Sequence, residues 1–486
     1  MLDTRNEIRR LLDRFEFRSG KVLLRSLVCL TLAAAAIWLP TDPTLTESAR
    51  WSLGIVVLAA TLWISEAIPA FAVALLVIGL QVLILGRSGG VLVPADDARG
   101  WEIYVRPWAS PPMWLFFGGL VLARAAQRTE IDQWVAGAVL KLTAGQPTRL
   151  LPAVMGVTFL FSMFMSNTAT CAMMLTVLTP AIAVLPKDSA VAKALLLGLA
   201  FAANIGGMAT IIGTPPNAIG AGFLEESGGI SFTAWMGYGM PPALLLFALI
   251  WWLLNRQMRS AGPCPALAIP EPQPAPPPPP SSLSKNVPIT RWQRLLTLII
   301  FVTTIALWMT GALHGSPTAV VSFLPIVSLS MIGVMRAEEI RSLNWDVLIL
   351  LAGGLSLGVG IESSGLAAWM AQQLQGISAP PWVVTLTLCY VAAAASNLMS
   401  NTAAANILLP IGIVLANSAG PSVAAASIVV PVALSCSIAM ALPIATPPNA
   451  LIFASGRIAT RDYLPGGLLA LLIGPALCVA WAQLFN

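Results

Sequence analysis

"SNTAT", residues 166–170, interrupts an apolar run and is followed by "IGTPPNAI", residues 212–219. The pair recurs in the same order: "SNTAA" at 400–404 and "IATPPNAL" at 444–451. Asn217 follows Ser166 by 51 positions, and Asn449 follows Ser400 by 49. Two matched polar motifs at nearly equal spacing mark an internal repeat of the kind secondary transporters are built from.

The composition sets the solvent. Of 486 residues, 57% are hydrophobic and 10% charged, against about 25% charged in a soluble domain. Mean hydropathy is +0.82. The chain reads as a bilayer protein. A net charge of +5, scattered along the chain, argues against nucleic acid and is better read as a topology signal. The six cysteines show no CxxC spacing and read as small hydrophobes, and His314 is the one histidine. The first 25 residues carry Arg5, Arg9, Arg10, Arg14, Arg18, Lys21 and Arg25 and show no cleavage pattern. They read as a cytoplasmic segment, either a helix on the membrane surface or a solvated tail.

Apolar segments near 23–40, 51–65, 70–86, 111–125, 190–212, 240–255, 293–312, 317–335, 345–370, 424–444 and 463–484 predict about 11 transmembrane helices. The Pro-rich stretch 262–286 reads as an extended linker. The expected organisation is a basic segment 1–22, a first transmembrane helix 23–50, a first repeat 51–261, a linker 262–289 and a second repeat 290–486. The apolar run 151–165 before Ser166 would span about 22 Å as a helix, short of a bilayer core of about 30 Å. We therefore expect re-entrant hairpins at 150–186 and 382–418, with the Ser-Asn-Thr triplets at their tips. The alternative is one long helix with a polar patch.

Charge gives direction. Lys141, Arg149, Lys187 and Lys193 flank the first hairpin, whereas no Lys or Arg lies between Arg341 and Arg457 around the second. Basic short loops stay in the cytoplasm. The first hairpin then enters from inside and the second from outside, as an inverted-topology repeat requires. The linker ends (Arg256, Arg259, Lys285, Arg291, Arg294) fall inside, and the loop 221–239, with Glu225 and Glu226 but no Lys or Arg, falls outside. The N-terminus is then cytoplasmic and the C-terminus extracellular or periplasmic.

At "TPPN" each proline removes a backbone donor and disfavours helix before it. Asn217 and Asn449 are placed to cap the helix that restarts. Unwound backbone at membrane depth is tolerated only where it is buried in protein or lines a cavity. Freed carbonyls, hydroxyls and amide oxygens suit a small hard cation, and N–H groups at restarting helices suit an anion. A single triplet would be read as a helix cap or an interhelical contact. Two, each matched to a break, read as a binding site.

The paired motifs resemble the divalent anion:sodium symporter family. "GGMATIIGTPPN" (206–217), "IATPPN" (444–449), "WISEAIPAFAVALL" (63–76) and "NWDVLILLAGGLSLGVGIESSGLAAW" (344–369) add to the likeness. The resemblance implies a homodimer with a scaffold domain and a transport domain that moves like an elevator. It implies one Na+ site at Ser162, Ser166, Asn167 and Gly213. The second corresponds to Ser396, the Met399 carbonyl, Asn401 and Ala445. The anion would meet Asn167, Thr168, Asn401 and Thr402, with Pro215 and Pro447 nearby.

Glu66, Arg124, Asp346 and Glu362 border apolar segments and are weaker candidates for transport. The tryptophans read as interfacial anchors. The expected activity is uptake of a small dianion, a C4-dicarboxylate such as succinate before sulfate, coupled to Na+ across the cell membrane. The rivals are an exchanger of the same fold, a channel, or a polytopic membrane enzyme. An enzyme would need titratable groups at the midplane, where the motifs offer only Cys171 and Cys436 nearby.

Overall fold

The computed structural model describes residues 20, 22–40, 42–86, 100–186, 188–260, 289–374, 379–418 and 424–485, and among them every regular element is a helix. Residues 1–19 of the basic segment and the linker 262–286 lie outside the described residues, as do Lys187 and Cys264.

Among the described residues seven helices are long and apolar enough to cross a bilayer: Glu47–Ser65, Ala190–Gly207, Phe232–Ser260, Arg291–Met309, Trp345–Ser363, Asn401–Ser418 and Thr460–Phe485. Six fall on segments expected to span. The seventh, Asn401–Ser418, was expected as a hairpin arm. Four other expected segments form shorter apolar helices: Val22–Trp38, Ala70–Leu85, Thr318–Met331 and Ala426–Cys436. Pro111–Arg128 has the length but carries Arg124 and Arg128. The helix Ile131–Lys141 was not anticipated, because Asp132, Gln133 and Lys141 interrupt its apolar pattern.

The chain forms two compact units, Met1–Trp108 with Ile349–Ser378, and Ala109–Leu348 with Ala379–Asn486. These cut across the sequence repeat. In the smaller unit a buried polar chain ties helices together. Ser356 Oγ lies 2.7 Å from Gln81 Oε1 and 2.8 Å from the Tyr104 carbonyl, its single proton serving one of them, and Ser52 donates to the Gly360 carbonyl (3.1 Å).

The larger unit holds both triplets and both "TPPN" breaks. At each triplet the helix stops. Pro147–Ser162 is followed by a turn through Met165 and then by Asn167–Ala183. Pro381–Ser396 is followed by a turn and then by Asn401–Ser418. The single uninterrupted helix is thus not what forms. Ser166 Oγ accepts from Ala169 N (3.3 Å) and Ser400 Oγ from Ala403 N (3.2 Å), so each serine caps the helix that restarts.

A partner helix packs on each pair: Ala190–Gly207 on the first and Ala426–Cys436 on the second. Each partner then unwinds and restarts as a short helix, Pro215–Phe223 or Pro447–Phe453. The restarts cross over. Pro447–Phe453 packs on Asn167–Ala183, and Pro215–Phe223 packs on Asn401–Ser418. The two repeats are therefore interlaced around the motifs.

Polar contacts mark the two ends of this unit. Arg457 donates to the carbonyls of Leu185 (3.1 Å) and Pro186 (3.3 Å), and Lys193 pairs with Asp462 at 3.1 Å. Trp481, near the far end of Thr460–Phe485, donates to the Gly237 carbonyl (2.8 Å). The basic flank of the first triplet and the residues after the second break thus share one end, and the start of Phe232–Ser260, expected as loop, lies at the other. The tryptophans divide: Trp38, Trp134, Trp252 and Trp292 are exposed, whereas Trp63, Trp235 and Trp308 are buried core residues, not anchors.

Candidate functional site

In the first repeat three of the four residues expected at one cation site converge. Ser162 ends its helix fully buried, with Oγ 2.6 Å from Asn167 Oδ1 and 2.6 Å from the Ala203 carbonyl, its single proton serving one of them. The same inward atom of the Asn167 amide lies 3.2 Å from the carbonyls of Gly213 and Ala203. With nitrogen inward, the amide donates to these oxygens. With oxygen inward, the position becomes an all-oxygen cluster of one amide oxygen, one hydroxyl and two carbonyls. Such a cluster repels itself unless a cation neutralises it, and hard oxygen donors of this kind suit a small alkali ion. Ser166, the fourth residue, spends its hydroxyl on the helix cap. The Ala203 carbonyl was not anticipated, because backbone atoms leave no mark in a side-chain pattern.

Close approach of backbone makes the cluster possible. A Cβ on Gly213 would lie 2.5 Å from the Gly207 carbonyl, and a Cβ on Gly207 would lie 2.6 Å from Asn167 Oδ1. At Gly213 the clash is with backbone, so only glycine fits; at Gly207 it is with the end of the Asn167 side chain, which a Cβ would displace. Around the unwound stretch, Asn217 Nδ2 donates to the carbonyls of Gly207 (2.9 Å), Met208 (3.3 Å) and Thr210 (2.7 Å). Asn449 repeats this with Met440 (3.1 Å) and Leu442 (2.9 Å). The expectation that these asparagines cap the restarting helices is corrected. Thr214 and Thr446 hold the cap positions, and Thr446 Oγ1 accepts from Asn449 N. The asparagines instead bind carbonyls that the missing helical turn leaves without partners.

The second repeat brings its expected residues together less fully. Ser396 is buried with no nitrogen or oxygen partner, and the Cys436 thiol is its polar neighbour. Asn401 Oδ1 is also buried without a partner. Met399 lies in the turn, half-buried, and Ala445 directly precedes the cap residue Thr446. No direct hydrogen bond joins these four. Asn401 Oδ1 thus lacks a partner, and the Ser396 hydroxyl has the Cys436 thiol beside it.

Exposure sorts the candidates. Ser162, Gly213, Ser396 and Ala445 are buried, whereas Asn167, Thr168, Pro215, Asn401 and Thr402 are half-buried and Pro447 is exposed. The half-buried and exposed residues sit in the first turns of their helices. Glu66, Asp346 and Glu362 lie in exposed positions at helix ends. Arg124 lies within its helix with Nε buried and unpartnered, and nearby Arg128 pairs with Glu339. Cys29, Cys171, Cys389, Cys436 and Cys478 are all buried and free.

Comparison with known proteins follows this geometry. A family profile described as citrate transporter matches residues 56–430. An uncharacterized transporter of Haemophilus influenzae is 30% identical over 463 residues, 90% of each chain. The sodium-dependent dicarboxylate transporter SdcS of Staphylococcus saprophyticus is 30% identical over 459 residues, 87% of this chain and 83% of that one. Two solved structures share the fold. One is Neisseria gonorrhoeae MtrF, with TM-score 0.53 at 15% identity over 93% of this chain and 97% of that one. The other is the Alcanivorax borkumensis YdaH transporter, with TM-score 0.54 at 13% identity over 88% of this chain and 98% of that one. The chain belongs to the citrate transporter family and to the divalent anion:sodium symporters that the paired motifs resemble.

Proposed function

We propose that this member of the citrate transporter family is a secondary active transporter that couples Na+ to uptake of a small dianion, most of all a C4-dicarboxylate such as succinate. The observation that carries the reading is the convergence of the Ser162 hydroxyl and the Ala203 and Gly213 carbonyls on one end of the Asn167 amide, at 2.6–3.2 Å, which a cation would meet as four oxygens once the amide oxygen faces inward. Relatives named as sodium-dependent dicarboxylate transporters support the same coupling ion and substrate class.

Na+ is taken by Ser162, Ser166, Asn167 and Gly213 in one repeat and by Ser396, Met399, Asn401 and Ala445 in the other. The dianion is taken by Asn167, Thr168, Asn401 and Thr402, beside Pro215 and Pro447. Neither motif holds Lys or Arg. The anion's charge is therefore offset by the bound cations and by the N-termini of Asn167–Ala183 and Asn401–Ser418. Because Asn167 and Asn401 serve both ligands, cation binding turns each amide oxygen inward and leaves its N–H groups for the carboxylates. That sharing makes anion affinity depend on Na+.

The triplets are the tips of re-entrant hairpins in an inverted repeat. The loaded transport domain moves against a scaffold by an elevator-type motion, in a homodimer of the cell membrane. The N-terminus is cytoplasmic and the C-terminus extracellular or periplasmic. The shared end of Arg457, Leu185 and Lys193 supports this orientation, since it gathers basic residues on one face.

The test is uptake of labelled succinate and sulfate into proteoliposomes, with and without a Na+ gradient and with anion trapped inside. Asn167→Ala and Asn401→Ala should each abolish Na+-dependent uptake while expression persists. Normal uptake in both variants would remove the site assignment. Uptake that needs internal anion and ignores Na+ would make the protein an exchanger.

A further inference from the structure

Asn204 is fully buried on the helix Ala190–Gly207 and follows Ala203, whose carbonyl belongs to the first oxygen cluster. Its side chain crosses to the other repeat. Nδ2 donates to Thr446 Oγ1 (3.0 Å) and to Asn449 Oδ1 (3.3 Å). Those two residues fix the second break. Thr446 directly follows Ala445, and Asn449 holds the Leu442 carbonyl, which also accepts from Ala445 N (3.2 Å). One side chain therefore grips the loop that presents the Ala445 carbonyl, from a backbone position adjoining the first cluster.

In the repeat register the tie has no counterpart among the described residues. The repeat register that matches Thr214 to Thr446 and Asn217 to Asn449 matches Asn204 to Cys436, which has no amide to donate. The structure carries the mark of that difference. Asn449 Oδ1 receives the Asn204 bond, whereas the equivalent atom, Asn217 Oδ1, is buried without a partner. The link between repeats at this point runs one way, from the first cluster to the second break.

We infer that Asn204 is a positioning residue that couples the two cation sites: a cation drawing on the Ala203 carbonyl fixes Asn204, and Asn204 fixes the loop that offers Ala445 to the second cation. The inference rests on the Na+ reading proposed above. Occupancy of the first site then pre-organises the second, so part of the cost of ordering the Ala445 loop is already met when the second ion arrives. Linkage makes the coupling reciprocal.

The test is direct Na+ binding to the purified full-length protein, with choline replacing Na+ at constant ionic strength. Binding is followed by calorimetry and by tryptophan fluorescence. The wild type should titrate with a Hill coefficient above one. In Asn204→Ala the coefficient should fall to about one and the half-saturating Na+ should rise about 5- to 10-fold, within the usual range of coupling between sites. Thr446→Val should do the same, Thr446→Ser should restore cooperativity, and the double variant should lose no more than either single one. Thermal stability without Na+ separates this from a folding defect, and the Thr446 pair gives the answer if Asn204→Ala does not fold. Cooperative Na+ binding that survives both Asn204→Ala and Thr446→Val overturns the coupling role and leaves the cation sites standing. A wild type that shows no Na+ response overturns both.

Discussion

Gly207 approaches Asn167 so closely that a Cβ added to it would lie 2.6 Å from Asn167 Oδ1. The contact joins the end of one helix to the start of another across the first break. It leaves the amide one place to sit, against Ser162 and the Gly213 carbonyl. Gly207→Ala should therefore displace the amide without harming the helix, where alanine is favoured over glycine by about 1 kcal/mol. We expect Na+-dependent uptake to fall at least about tenfold, a change of about 1.4 kcal/mol. Half-saturating Na+ should rise in parallel. A variant with the wild-type Na+ titration would show that the position of the Asn167 amide does not matter.

Asn217 carries a different load. Its Nδ2 serves three carbonyls of the unwound stretch, all within 3.3 Å. Asn217→Ala leaves buried acceptors without a donor, at a cost of about 1–3 kcal/mol for each one left unsatisfied. The melting midpoint in detergent should drop by several degrees. Asn217→Asp should be worse, because a carboxylate would face those carbonyls. An Asp variant as stable as wild type would mean that the loop rearranges to find other donors.

Much of this site is legible in the sequence. The triplets mark a restart because serine caps the helix that follows, and the prolines of "TPPN" sit in the first turn of the restarting helices, where a missing donor costs nothing. Both causes are local. What the sequence does not display is reach. Asn204 bonds residues 242 and 245 positions away, and nothing in its own neighbourhood distinguishes it from a helical asparagine. Ala203 contributes only backbone. Asn217 and Asn449 are misread from sequence because asparagine is a good cap, while the threonine three residues earlier takes that position and frees the amide for the loop. Helix length misleads too, since Asn401–Ser418 is long enough to span and still begins at a triplet.

The pair Arg128–Glu339 lies apart from the motifs, with side chains 14% and 9% exposed. Glu339 Oε2 also accepts from Arg336 N (3.0 Å), so the carboxylate serves two partners. Removing one member of a largely buried pair leaves an uncompensated charge, at about 3–5 kcal/mol. Glu339→Ala should lower the melting midpoint markedly, and Arg128→Met with Glu339→Met should recover part of the loss. Half-saturating Na+ and succinate should stay unchanged in whatever protein remains folded. A shift in either would connect this pair to the transport cycle.

Ser396 offers the cleanest separation of function from stability. Its hydroxyl is fully buried with the Cys436 thiol as its polar neighbour and no nitrogen or oxygen partner, so removing it breaks at most a weak bond to sulfur. A buried polar group left in that state costs stability unless something absent from the protein atoms satisfies it. Ser396→Ala should leave the melting midpoint without Na+ unchanged or slightly raised. The rise in melting midpoint on adding Na+ should shrink, and half-saturating Na+ for uptake should increase several-fold. Ser162→Ala is the contrast, because it removes bonds to Asn167 and to the Ala203 carbonyl and should cost stability with or without Na+. If Ser396→Ala instead destabilises the Na+-free protein and leaves its Na+ response intact, the hydroxyl is structural and the second cation site lies elsewhere.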